Sequence, residues 1–94
     1  MHIGVCKIKL YLPESQSLKD KRRIIKSIVD RLKNKFNIAI AEIEALDIHQ
    51  TAIIGVVSIS NDVKFVNQIL SQCVKFIEEN SSAILTDYET EFIF

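Results

Sequence analysis

Ninety-four residues, 48% of them hydrophobic, fit one domain spanning residues 1–94, because a chain this short buries only roughly 60 to 65% of its unfolded surface and has no room for a second core. Twelve basic and twelve acidic residues cancel to a formal charge of zero, so any attraction to an acidic partner has to come from local asymmetry. No apolar run approaches the eighteen or so residues a bilayer span needs, and MHIGVCKIKL lacks a charged leader followed by a long apolar segment, which excludes a membrane span and predicts a cytoplasmic protein.

The stretch from His2 to Leu12 puts Cys6, Ile8, Leu10 and Leu12 on one face and Lys7, Lys9 and Tyr11 on the other, a period of two that predicts a strand. Pro13 has no amide hydrogen to donate and ends the ladder. Ser17 is placed to cap a helix that begins near Leu18, and Asp20 three residues on resembles a capping box with Asp in place of Glu. Leu18, Ile24, Ile25, Ile28, Val29, Leu32 and Phe36 share about 140° of helical arc, a stripe suited to a core. Asn37 ends this helix. A second strand follows in IAIAEIEA, with Ile38, Ile40, Glu42 and Glu44 opposed to Ala39, Ala41 and Ile43.

After the polar interruption LDIHQ, the run TAIIGVVSIS is β-branched and apolar on both faces, which predicts a central strand. Ser60 or Asn61 is placed to cap the next helix, whose Val63, Val66, Ile69, Leu70, Cys73, Val74 and Ile77 repeat at helical spacing. The tail AILTDYETEFIF alternates Asp87, Glu89, Glu91 and Ile93 against Thr86, Tyr88, Thr90 and Phe92, a fourth strand with a charged face. The order β-α-β-β-α-β predicts a ferredoxin-like α+β sandwich, with sheet order 4-1-3-2 and both helices on one face. Lys7 and Lys9 then lie across from the Asp87, Glu89 and Glu91 series. Cys6 and Cys73 lack metal or redox spacing and are expected as two buried thiols near each other, with no disulfide.

Residues 1–36 carry a net charge of +7 and residues 37–94 carry −7. On the first helix Lys19, Arg22, Arg23, Lys26 and Lys33 share about 100° of arc, where Asp30 neutralises part of the charge at i, i+4 from Lys26. Ser15, Ser17 and Lys19 stand beside the exposed amides of a helix N-terminus, a place for a phosphate oxygen. A solvated helix face accounts for the same charges. Ile3, Val5, Tyr11 and alternate residues of Ile53 to Ile59 make an uncovered apolar sheet face, which predicts a homodimer.

The segments IGVCKIKLYLP, SLK-x-KRR, KFN and the later SND resemble the YlxP-like family of small bacterial ferredoxin-like proteins over nearly the whole chain, SLK-x-KRR most specifically. Family members have no established biochemistry, and their genes often stand beside those of translation factors and a ribosome-binding factor. The resemblance therefore implies RNA or ribosome association.

The expected function is that of a non-enzymatic factor binding phosphate backbone through Ser15, Ser17, Lys19, Lys21, Arg22, Arg23 and Lys26. The competing reading is a homodimeric interaction module working through its sheet face or hairpin. No catalytic constellation emerges: Asp47 and His49 share the hairpin without a candidate nucleophile, Glu42 and Glu44 share one strand face, and Gly4 and Gly55 form no phosphate loop. No metal site and no cofactor are expected.

Overall fold

A computed structural model describes residues 1–94. The elements are β1 (His2–Tyr11), α1 (Leu18–Lys35), β2 (Ala39–Glu44), β3 (Thr51–Ser60), α2 (Val63–Asn80) and β4 (Ile84–Phe92). The strands form one antiparallel sheet in the order β2-β3-β1-β4, the ferredoxin-like arrangement that the element order predicts. No helix is long and apolar enough to cross a membrane.

Alternation along β1 sends Cys6, Ile8 and Leu10 to the helix-covered side, where they meet Ala52, Ile54 and Val56 of β3. Ile25, Ile28 and Leu32 of α1 and Val66, Leu70, Cys73, Val74 and Ile77 of α2 complete the core from above. Gly4 permits this closeness, since a Cβ there would come within 2.6 Å of Val66 Cγ1 and 2.8 Å of Leu70 Cδ1. Across β1 and β4, Lys7 stands opposite Glu89 and Lys9 opposite Asp87, as the charge alternation predicts.

Two local expectations change. Asp62, not Ser60 or Asn61, caps α2: its Oδ1 accepts from the Lys64 amide at 2.9 Å, while Ser60 Oγ accepts from the Asp62 amide at 3.2 Å. Glu42 and Glu44 do not share a face. A bulge pairs Glu42 with Ile54 and Glu44 with Ile53, so the extra residue turns the second carboxylate to the uncovered side. There Glu44 meets Lys7 at 3.1 Å across β3, while the Ile43 side chain packs over Gly55, whose missing Cβ leaves it room.

Cys6 and Cys73 are buried free thiols. Burial raises both, and the neighbouring Cys6 adds to the shift at Cys73, which reaches about 12 from an ordinary 9.0. A thiol raised in the folded state stabilises fully below its unfolded value, and the contribution is lost as pH climbs through the folded one. Stability should therefore fall from about pH 9 upward, by at most about 1.4 kcal/mol per pH unit for each thiol. Urea unfolding at pH 7.5 and at higher pH would measure this, with alkylation at both cysteines only after unfolding. Alkylation at the native rate of a free thiol would contradict the burial.

Candidate nucleic-acid interface

Ser17 starts α1, its side-chain oxygen accepting from the Asp20 amide at 3.0 Å. The apolar stripe then turns Ile25, Ile28 and Leu32 inward, which leaves most of the basic residues facing solvent. Eight basic and two acidic side chains lie on Leu18–Lys35. With Lys21 neutralised by Glu42, the rest of the helix keeps a net +5.

Lys21 does not belong to the outward set. At 1% exposure it is the largest fully buried side chain of the protein. Its ammonium donates to the Ala45 carbonyl at 2.6 Å and the Ile48 carbonyl at 2.7 Å, and faces Glu42 Oε2 at 2.7 Å. That third contact lacks the alignment of a hydrogen bond, so charge holds it. Lys21 thus ties the start of α1 to the turn between β2 and β3, where Ala45 takes a left-handed φ of 59° that a non-glycine residue adopts at a cost. Enclosed by two carbonyls and a carboxylate at 1% exposure, the ammonium is out of reach of a phosphate.

Ser15 is corrected in the same way. It is fully buried, its hydroxyl donates to the Ser17 carbonyl at 3.1 Å, and its own carbonyl accepts from Gln50 Nε2 at 3.1 Å. The first turn of α1 also holds a carboxylate: Asp20 Oδ2 accepts from the Gln16 amide just before the cap at 3.0 Å, and Asp20 Oδ1 pairs with Arg23 at 2.8 Å. A carboxylate already complements the positive end of α1, so Ser15 and Ser17 serve the loop and the cap.

Four predicted cations remain outward: Lys19, Arg22, Arg23 and Lys26. Arg23 pairs with Asp20, and Lys26 pairs with Asp30 at 2.9 Å as its spacing predicts. Both cations stay about three-quarters exposed, at 75% and 76%, and such surface pairs contribute only about 0 to 1 kcal/mol. A phosphate competes with them readily. Lys19, Arg22 and Lys33 form no ion pair within the chain.

Sequence reasoning missed the opposite flank of α1. Arg31 Nη1 donates to the Asn80 carbonyl at the end of α2 at 2.6 Å, and its guanidinium lies 5.3 Å from the Phe76 ring centre. Lys35 Nζ sits 5.1 Å from the same ring and 5.9 Å from that of Phe36. The rings meet edge to face at 6.3 Å. The i, i+4 spacing of Arg31 and Lys35 was available as a signal, but the position of Phe76 depends on how the two helices dock.

On the uncovered side of the sheet, Ile3 and Val5 of β1 stand opposite Ile59 and Val57 of β3, and Val57 and Ile59 are exposed. Toward the other end this face turns charged, with Lys7 and Lys9 beside Glu44, Asp87 and Glu89.

The family described as "Protein of unknown function (DUF503)" matches residues 3–90. Over 90 residues the chain is 30% identical to "Uncharacterized protein YlxP" of Bacillus subtilis (strain 168), covering 96% of this chain and 98% of that protein.

Proposed function

The chain belongs to the DUF503 family, whose description names no activity, and from its own surface we propose that it is a cytoplasmic RNA- or ribosome-associated factor holding phosphate backbone on the outward face of α1. Lys19, Arg22, Arg23 and Lys26 supply the contacts, Arg22 and Arg23 with forks that match phosphate oxygens. One observation carries the reading: two of these cations have no ion-pair partner in the chain, and the other two stay about three-quarters exposed within their pairs. The ribosome is the chosen polyanion because the family resemblance implies it. Reversing Lys19, Arg22 and Lys26 to Glu should remove salt-sensitive co-sedimentation with ribosomes on a sucrose gradient, and retention of the reversed protein on ribosomes would sink the proposal.

The uncovered sheet face favours a second working surface. Ile3, Val5, Val57 and Ile59 form an apolar area on a side that no helix covers, and the neighbouring Lys7, Lys9, Asp87 and Glu89 carry both signs of charge, which a self-complementary two-fold contact can accommodate. A second copy of the chain is the proposed occupant. Sedimentation should show a dimer at micromolar concentration and a monomer for Val57→Asp, while a monomeric parent protein would refute this arrangement.

A further inference from the structure

Two openings lie along the seam between α1 and α2, each about 340 Å³, within the range of small-ligand sites. Asn80 lines both, and Arg31 of one lies over Phe76 of the other while donating to the Asn80 carbonyl, so the two adjoin as a groove divided by the Arg31 side chain. Arg23, Arg31, Lys35 and Lys75 line it against a single carboxylate, Glu79, which lies 3.9 Å from Lys75. Half-buried Phe36 and Phe76 sit at its broader chemistry: aromatic surface flanked by cations, with the Gln72 amide at the wall.

We infer that this groove is a single-stranded RNA subsite in which one unpaired base stacks on Phe76 while Arg31 and Lys35 hold the adjoining phosphates. The inference rests on the polyanion reading above and names the form of nucleic acid it takes. Charge complementarity supports the anionic part, and ring surface recessed between two helices supports the unpaired part, because a base held in a duplex does not present its face to such a recess. In the free protein Lys35 and Arg31 cover the ring. A nucleotide replaces them there with a base and gives the displaced cations a phosphate each. Gln72 and Asn80 offer amides to a base edge, and Glu79 offers an acceptor to an exocyclic amine or a ribose hydroxyl. Because Arg23 contributes to this groove and also to the outer face of α1, a strand leaving the groove continues onto the proposed backbone surface.

The test compares a fluorescein-labelled oligouridylate of about ten nucleotides with an RNA duplex of about 16 base pairs, using fluorescence anisotropy. Phe76→Leu keeps the apolar packing and removes the ring. It should weaken oligouridylate binding about tenfold and leave duplex binding unchanged. The chain has no tryptophan, so Phe76→Trp places a single reporter in the groove, and its emission should be quenched by oligouridylate and not by duplex. Oligouridylate binding that Phe76→Leu leaves intact, or tryptophan emission that stays constant at saturation, would overturn the groove while the outer surface stands. A parent protein that binds the duplex alone would do the same. Binding of neither nucleic acid would overturn both readings.

Discussion

Lys21→Met should destabilise the fold by about 3 kcal/mol, the scale set by removing one partner from a buried ion pair. The loss has three parts in the geometry. Glu42, whose side chain is 19% exposed, is left without its counter-charge, and the Ala45 and Ile48 carbonyls lose donors at 2.6 and 2.7 Å. Met matches the length of the lysine stem and fills the same space, so the penalty reports the ammonium and not a cavity. Adding Glu42→Leu to Lys21→Met should return part of the stability, since replacing both charges with apolar groups is often close to neutral. Urea midpoints of the two single variants and the double variant would measure the coupling. A cost under about 0.5 kcal/mol, the range of ordinary surface substitutions, would mean that Lys21 is solvated and would restore it to the phosphate set.

Reversing Lys19, Arg22 and Lys26 should lower affinity for RNA at least about a hundredfold near 0.1 M salt, because three phosphate contacts vanish and three repulsive charges replace them. The stability cost should be small. Lys19 and Arg22 touch no acidic partner, the Lys26–Asp30 pair is exposed, and Glu is as good a helix former as the residues it replaces. Helical circular dichroism should therefore be unchanged, which separates lost binding from lost structure. Full-strength binding by the folded triple variant would move the interface elsewhere on the molecule.

The fold was legible because each element states its period. β1 alternates without interruption, α1 carries Ile25, Ile28 and Leu32 at helical spacing, and β3 is rich in β-branched and apolar residues along its whole length. Lys21 shows what was overlooked: inside a run of basic residues it looks like its neighbours, yet it precedes Ile25, Ile28 and Leu32 by four, seven and eleven positions and so lies on their stripe. Glu42 carries the matching sign, a carboxylate on the core-facing parity of Ile38 and Ile40 that calls for a partner. Their pairing joins residues 21 positions apart through the docking of α1 on β2, which no local pattern encodes. The bulge at Ile43 was equally hidden, since one extra residue reverses the facing of Glu44 without altering the alternation in the sequence. Arg31, Lys35 and Phe76 came together only through helix packing. Of the predicted residues, Lys19, Arg22, Arg23 and Lys26 face solvent, while Ser15, Ser17 and Lys21 proved to be parts of the scaffold that presents them.

Whether α1 offers free positive charge to a phosphate backbone is decided most directly by the salt dependence of RNA binding. With contacts from Lys19, Arg22, Arg23 and Lys26, the slope of log affinity against log salt should lie near about −3.6 for a duplex and, with Arg31 and Lys35 added in the groove, near about −4.2 for a single strand, and should flatten strongly when Lys19, Arg22 and Lys26 are reversed. A slope near zero, or the same slope in parent and reversed protein, would contradict the account.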